Sequence, residues 1–382
     1  MKIALVRSSI QRSGGVGRYV WHLANELSRA GHEVHVITRK FDDFENNSIE
    51  IHQINFQIFF SFLKVIFFNN RVEKILRKES FDIVHSFDRF NNCDLYRAGE
   101  GLHREWLSIS SRFLPRWKSF FRMINPLHPL LLSLEKKIFL GSSVSMVTAI
   151  SKKGREEISR HFGIENTPVI YNGVNTEEFY LPDGKDRLSV RNELGLSEEA
   201  SLVLYIGGGF FRKGLSFLID GFAKLPIQTR EKTFLLVLGR GSLNSYMKKV
   251  RKLNVQKNVL FLGSSDETGR FYRASDVFIL PSLYEPFGNV CLEALSSGLL
   301  CIFSSKCGGA EIITDGKNGF ILENPTDSDE ISKLLKNCLT LTNKESVSKS
   351  ARELALEYTL NLNMKETEKL YFDLYKKKRD KS

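Results

Sequence analysis

The chain has 382 residues, 42% of them apolar and 26% charged, a globular balance in a length that exceeds what one hydrophobic core organises. Two domains are therefore expected. Lysine and arginine number 55 against 44 acids, a net charge of +11, and the excess is uneven: residues 1–170 carry 25 basic and 17 acidic side chains, residues 171–382 carry 30 and 27.

That asymmetry points the first half toward an anionic partner, with nucleic acid, a phospholipid surface and a phosphorylated small substrate as the candidates. Five cysteines (Cys93, Cys291, Cys301, Cys307, Cys338) include no CxxC pair, which argues against a disulfide framework or a structural zinc and fits a reducing cytoplasm.

In chain order, residues 1–10 read as a first buried strand, because the apolar core ends at once in Arg7 and lacks the length and cleavage site of a signal peptide. Gly14, Gly15 and Gly17 form a turn, residues 19–29 an amphipathic helix stopped at Gly31, and residues 33–38 the next strand. The most apolar stretch, 54–68, is interrupted by Gln57, Ser61 and Lys64 and falls short of the roughly 20 apolar residues a spanning helix needs, so no transmembrane segment is expected. Residues 81–86 make a later strand.

From 104 to 139 the pattern turns basic and aromatic. Arg104, Arg112, Arg116, Lys118, Arg122, Lys136 and Lys137 stand against Glu105 and Glu135, with Trp106, Phe113, Trp117, Phe120 and Phe121 between them and Pro115, Pro126 and Pro129 interrupting helices. This is the composition of an interfacial surface.

The second half restarts the rhythm. Residues 202–206 are a strand ending in Gly207, Gly208 and Gly209, 214–225 a helix, and 234–238 a strand ending in Gly239. Residues 259–262 precede Gly263, and 277–280 precede the loop 281–287. Residues 300–303 and 320–322 complete the strands, and helices close the chain from about 327. Strands alternating with helices imply an α/β protein with two doubly wound parallel sheets, divided near 167–180 at Pro168 and the Asn172-Gly173 turn.

Open α/β sheets bind ligands beyond the carboxyl ends of their strands, so the loops after the first strand and after residues 206, 262 and 280 are where chemistry belongs. Gly15-Val16-Gly17-Arg18-Tyr19-Val20 lacks the third glycine of a dinucleotide turn, and Arg39 and Lys40 occupy the place of its acidic ribose ligand. Two readings stay open for this turn: glycine for tightness alone, or bare backbone N–H groups approaching an anion or sugar. In GGGFFRKG, Arg212 and Lys213 join a glycine-rich strand end to a helix start, a place suited to a diphosphate. Without an anion, cations there oppose the helix dipole.

In Glu285-Pro286-Phe287-Gly288-Asn289-Val290-Cys291-Leu292-Glu293, the helix is expected over 288–297, so Glu285 lies in its entry loop and Glu293 in its second turn. The pair fits acceptors for sugar hydroxyls beside an anion cradle, or simply acids at a helix N-terminus.

These residues resemble the retaining family 4 glycosyltransferases of the GT-B fold. Glu285 and Glu293 match the E-x7-E motif, Arg212 and Lys213 the basic phosphate clamp, and the segments GGVGRY, YNGVNTEEF and CGGAEIITDGKNGFI match further landmarks over nearly the whole chain.

The resemblance implies two Rossmann-like domains facing across a cleft. Residues 1–170 form the acceptor side and 171–359 bind the nucleotide sugar, with the helix from about 360 to 382 packing back on the first. It makes Glu293 the ribose ligand and Glu285 a contact to the donor sugar. The backbone of Phe287, Gly288, Asn289 and Val290 holds sugar and phosphates, Gly14 and Gly15 reach toward the diphosphate, and the loops at Gly208 and Leu262 lie near the nucleotide. Many members place a histidine of the first domain near the sugar. Here the segment reads LYRAGEGLHREW, so Glu100 falls close to that place, as in some lipopolysaccharide-core relatives, with His103 three residues on; an ordinary satisfied histidine is the other reading of His103.

The expected activity is hexosyl transfer with retention, from a nucleoside diphosphate sugar such as UDP-glucose to a hydroxyl of a lipid-linked or phosphorylated glycan. No cofactor or metal is implied, and no DxD pair is placed to hold a divalent ion. The expected enzyme is a monomer at the inner face of an anionic membrane, docked through 104–137. Two rivals remain: a sugar-nucleotide epimerase or hydrolase, and a basic nucleic-acid-binding protein, which leaves the paired carboxylates without a use.

Overall fold

A computed structural model describes residues 1–12, 14–113, 124–182 and 184–380. The chain divides into two compact units, Met1–Tyr171 with Asn363–Ser382, and Asn172–Leu362. Each is built on a six-stranded sheet in which all paired strands run parallel.

In the first unit the sheet runs Glu50–Gln53, Glu33–Thr38, Lys2–Val6, Ile83–Ser86, Cys93–Arg97, Val144–Thr148. In the second it runs Val259–Gly263, Thr233–Leu238, Ser201–Ile206, Val277–Leu280, Leu300–Ser304, Phe320–Leu322. Counted within each sheet, both orders are 3-2-1-4-5-6, the doubly wound Rossmann arrangement. The α/β fold class expected from the alternation is the one found.

The strands read as apolar runs because helices cover both faces of such sheets. All of Leu300–Ser304 is buried, and Val203, Tyr205, Leu235, Val237, Ile279 and Ile302 share one core with Leu218, Phe222 and Ile331 of the covering helices. The first unit gathers Ala4, Val6, Ile37, Phe68, Val72, Tyr96, Ile138 and Ile158 in the same way. The C-terminal helix Leu360–Arg379 adds to it: Tyr371 Oη lies 2.6 Å from His85 Nδ1, and Glu368 lies 2.8 Å from His32 Nε2.

Three strands of the first sheet escape a reading by hydrophobic pattern. Glu50–Gln53 is a short polar edge, and Val144–Thr148 the opposite edge. Cys93–Arg97 is polar in sequence yet buried throughout, because the Asp94 carboxylate accepts the Val84 N–H at 2.8 Å and the Arg97 guanidinium lies over the Tyr19 ring. The first helix, Val16–Arg29, starts three residues before the position expected, with Gly15 as its N-cap.

Of the basic aromatic stretch, residues 114–123 lie outside the described residues, and with them Pro115, Arg116, Trp117, Lys118, Phe120, Phe121 and Arg122. Its described parts are the helices His103–Ser111 and Leu127–Leu140. Both of its acids are engaged. Glu135 is buried and takes Arg89 Nε at 3.2 Å, and Glu105 lies 2.6 Å from His161 Nε2, while Arg104, Arg112, Lys136 and Lys137 are exposed. No helix among the described residues is long and apolar enough to cross a membrane.

Candidate active site

The second sheet reverses its winding between Ser201–Ile206 and Val277–Leu280, and the loops leaving these two strands must diverge around a crevice. The loop after the first carries Arg212 and Lys213, and the loop after the second carries Glu285. They come together: Arg212 Nη1 lies 3.1 Å and Lys213 Nζ 3.5 Å from Glu285 Oε2.

The backbone fixes this meeting. The Leu283 N–H donates to the Arg212 carbonyl at 2.8 Å, and Arg212 Nη1 donates to the Tyr284 carbonyl at 2.9 Å. Gly214 makes the approach possible. It has φ +74°, and a Cβ there would lie 1.9 Å from the Pro281 carbonyl oxygen. From the other side, the Glu285 N–H donates to Lys306 O and its carbonyl accepts from the Gly308 N–H, at 3.2 and 2.9 Å. Gly309 is needed here too, since a Cβ would sit 2.8 Å from the Phe287 carbonyl.

Burial alone would raise the Glu285 carboxyl, but Lys213 and then Arg212 hold it below its ordinary value. Glu285 is therefore an ionised acceptor, unsuited to donate a proton. The same contact answers how two cations stand before the helix Leu215–Ala223: their charge is met by Glu285, so an anion is not the only thing that can offset the helix dipole.

The helix Asn289–Ser296 begins directly after Gly288, whose φ of +86° turns the chain into it. Its first amides mark a place for an anion only because the crevice opens there. The Phe287 carbonyl is already used by the Gly309 N–H at 2.9 Å and Cys307 Sγ at 3.0 Å, so this residue, expected to hold sugar through its backbone, has no carbonyl to offer. Asn289 Oδ1 accepts from Asn172 Nδ2, and Val290 follows in the first turn. Glu293, in the second turn, accepts from the buried Tyr272 hydroxyl at 2.9 Å. Tyr272 stands in no motif with Glu293 and comes from a separate helix, Thr268–Ala274, so no local pattern pairs the two. Gly208 is exposed and Leu262 half-buried, both in loops or strand ends at the carboxyl edge.

The first unit has its own reversal point, between Lys2–Val6 and Ile83–Ser86. Glu100 lies there, bridging Arg7 Nη1 at 2.7 Å and Arg89 Nη1 at 3.1 Å, while Arg7 also meets Asp88 at 2.6 Å. Burial would raise Glu100, but Arg7 and Arg89 keep it below its ordinary value. Neither Arg7 nor Arg89 stands in a motif; the one signal in the sequence is the place of Arg7, directly after the first strand. His103 is engaged elsewhere: its Nε2 lies 2.8 Å from His128 Nδ1, with the rings stacked. Gly14 and Gly15 are exposed, with no atom within 4 Å of a Cβ built on either, whereas one on Gly17 would meet Ser9 O at 2.8 Å. The turn thus explains Gly17 by close approach and Gly14 by its φ of +105°, and gives Gly15 neither reason.

Two Rossmann units, with a basic clamp and a buried glutamate joined at the reversal point of the second, define the class, and comparison with known proteins agrees. Residues 13–178 match the family described as Glycosyltransferase Family 4, and residues 186–354 match Glycosyl transferases group 1. The chain belongs to the family 4 glycosyltransferases of GT-B fold.

Among relatives, it is 30% identical over 354 residues to an uncharacterized glycosyltransferase, MJ1607, of Methanocaldococcus jannaschii, covering 87% of each chain. It is 24% identical to the lipopolysaccharide glucosyltransferase WaaG of Escherichia coli over 86% of each. The crystal structure of WaaG superposes with a TM-score of 0.84 at 22% identity, over 96% of this chain and 98% of that one. Anabaena HepE, solved in complex with UDP-glucose, superposes with a TM-score of 0.75 at 19% identity, over 97% and 99%.

Proposed function

We propose that this glycosyltransferase moves a hexose, glucose from UDP-glucose in the first instance, onto a hydroxyl of a lipid-linked glycan of the lipopolysaccharide-core kind, with retention at the anomeric carbon. The observation that carries the reading is the Arg212–Lys213–Glu285 cluster at the reversal point of the second sheet.

As the bond from the anomeric carbon to the diphosphate breaks, positive charge grows on the sugar and negative charge on the leaving oxygen. Arg212, Lys213 and the start of the helix Asn289–Ser296 oppose the second charge without any metal. Glu285, kept ionised, accepts from the sugar hydroxyls, and Glu293 accepts from the ribose, with Tyr272 fixing its carboxylate. WaaG is a glucosyltransferase by name and HepE was solved with UDP-glucose, which supports glucose and uridine here. Glu100, held ionised by Arg7 and Arg89, is assigned the role of a second acceptor for sugar hydroxyls, with His103 as the alternative.

The acceptor's anionic, lipid-linked character rests on the first unit. The helix Leu127–Leu140 exposes Lys136 and Lys137 and packs against the helix Ser61–Lys78, at whose start Phe59 is 97% and Phe60 65% exposed. Exposed cations and bare aromatics within one unit suit an anionic membrane surface at the cytoplasmic face.

The test is a panel of sugar nucleotides screened for protection of the purified chain against thermal unfolding, followed by transfer to a lipid-linked glycan and determination of the product's anomeric configuration. UDP-glucose is expected to protect best, with release of UDP only when acceptor is present. Equal release without acceptor establishes a hydrolase, and protection by no sugar nucleotide overturns the reading.

A further inference from the structure

Away from both reversal points, the first sheet carries polar side chains where its neighbours are apolar. Parallel pairing sets His35 opposite Glu50 and Ile37 opposite His52. Side chains two apart on a strand share a face, so Glu33 and His35 of one strand and Glu50 and His52 of the next stand together. Glu79, directly after the helix Ser61–Lys78, completes the group. One ligand atom each from His35, Glu50, His52 and Glu79 all fall within 4.8 Å of one another.

His35 Nε2 lies 2.9 Å from the Glu33 carboxylate; with the ring in its neutral form and its proton on that nitrogen, Nδ1 carries a lone pair. That lone pair faces His52 Nε2 at 2.9 Å, Glu50 Oε2 at 3.6 Å and Glu79 Oε2 at 3.8 Å. An N–H from His52 satisfies one of these approaches, and two carboxylate oxygens still face the lone pair. Charge is unbalanced in the same sense: with neutral histidines, Glu33, Glu50 and Glu79 are countered within the group by Lys2, 3.4 Å from both Glu33 and Glu79, which leaves two negative charges.

We propose that His35 Nδ1, His52 Nε2, Glu50 and Glu79 form a binding site for one divalent transition metal, with zinc as the fitting ion. Two imidazoles and two carboxylates are a borderline donor set that prefers zinc to magnesium or calcium. Zinc bonds of about 2.0–2.2 Å space tetrahedral ligand atoms about 3.3–3.6 Å apart, a spacing that the observed 2.9, 3.6 and 3.8 Å straddle. Glu33 acts as a positioning residue, holding the His35 ring by its far nitrogen, as carboxylates do behind metal-bound histidines.

Phe81 walls the site edge-on, 5.1 Å from the His35 ring and 6.5 Å from that of His52. Four protein ligands leave no open position, so the metal's role is to tie the edge strand Glu50–Gln53 and the end of the helix Ser61–Lys78 to the sheet. The shortage of paired cysteines in the sequence bears on cysteine zinc sites alone and does not touch this one.

The experiment uses the full chain, stripped with a chelator and titrated with zinc against a competing dye, with cobalt as a spectroscopic stand-in. The expected result is one equivalent bound, an intense tetrahedral cobalt spectrum, and a zinc-dependent rise in Tm that magnesium does not reproduce. His52→Gln and Glu50→Gln, both at the sheet edge, are expected to abolish the cobalt spectrum and the Tm rise while keeping the apo circular dichroism and the protection by UDP-glucose. Glu33→Gln is expected to weaken zinc by at least about tenfold without changing stoichiometry. Absence of saturable one-to-one binding, or zinc binding unchanged in His52→Gln and Glu50→Gln, overturns the proposal. Neither outcome bears on sugar transfer, which is read separately from donor protection.

Discussion

The two units share one strand order and each concentrates charge at its reversal point, but the balance differs. In the second, Arg212 and Lys213 meet Glu285, two cations against one anion. In the first, Arg7 and Arg89 meet Asp88, Glu100 and Glu135, two cations against three anions. The same topology therefore prepares one crevice to receive negative charge and the other to repel it. On the proposed function, the leaving diphosphate is assigned to the second and a hydroxylated, uncharged part of the substrate to the first.

The sharpest way to break the comparison is to remove what brings the charges together. Gly214→Ala places a Cβ against the Pro281 carbonyl and forces a left-handed φ, with an expected loss of about 3 kcal/mol or more in stability by denaturant titration. Gly15→Ala, in the first unit, meets no atom within 4 Å and is expected to cost at most about 1 kcal/mol as a change of helix cap. Equal stability losses at the two positions contradict the close packing assigned to Gly214.

Lys213→Ala comes next. Arg212 still accompanies Glu285, so the fold is expected to hold, while kcat falls by on the order of 10² or more through loss of a charge that opposes the leaving oxygen. Unchanged turnover in a folded variant removes Lys213 from this role.

Glu100 should show the opposite crevice's character in acid. Its carboxyl sits below the ordinary 4.5 in the folded chain, so the stability it adds is full above the unfolded value and is lost as pH falls below about 4.5. Its side chain is 39% exposed, so solvent screening keeps the contribution near about 1 kcal/mol. Glu100→Gln is expected to remove that share of the acid sensitivity. Urea titrations at pH 7 and pH 4 check it, and an undiminished difference in the variant rules the pairing out as its source.

What the sequence made legible follows the same division. Apolar strands such as Leu300–Ser304 announce themselves because both faces are covered, and Arg212, Lys213, Glu285 and Glu293 stand in motifs tied to the second sheet's loops. Cys93–Arg97 stayed hidden because its burial depends on Val84 and Tyr19, distant in sequence, as Glu293 depends on Tyr272. Pattern reveals a residue whose environment is local. It misses one whose polar partner is supplied by another element.

The smallest effect is expected where sequence offered two candidates three residues apart. Glu100 is ionised and lies at the reversal point beside Arg7, whereas His103 starts the helix His103–Ser111 with its ring stacked on His128 and its Nε2 2.8 Å from His128 Nδ1. A proton-transfer role for His103 would require breaking that contact, while an acceptor role for Glu100 requires only that a hydroxyl replace one arginine hydrogen bond. His103→Gln keeps a polar group at the helix start and should change kcat by less than about threefold, since general acid–base groups contribute about 10² or more when removed. Under the same assay Glu100→Gln should lower kcat more than His103→Gln does. The reverse order of the two variants would move the reacting sugar toward the histidine pair.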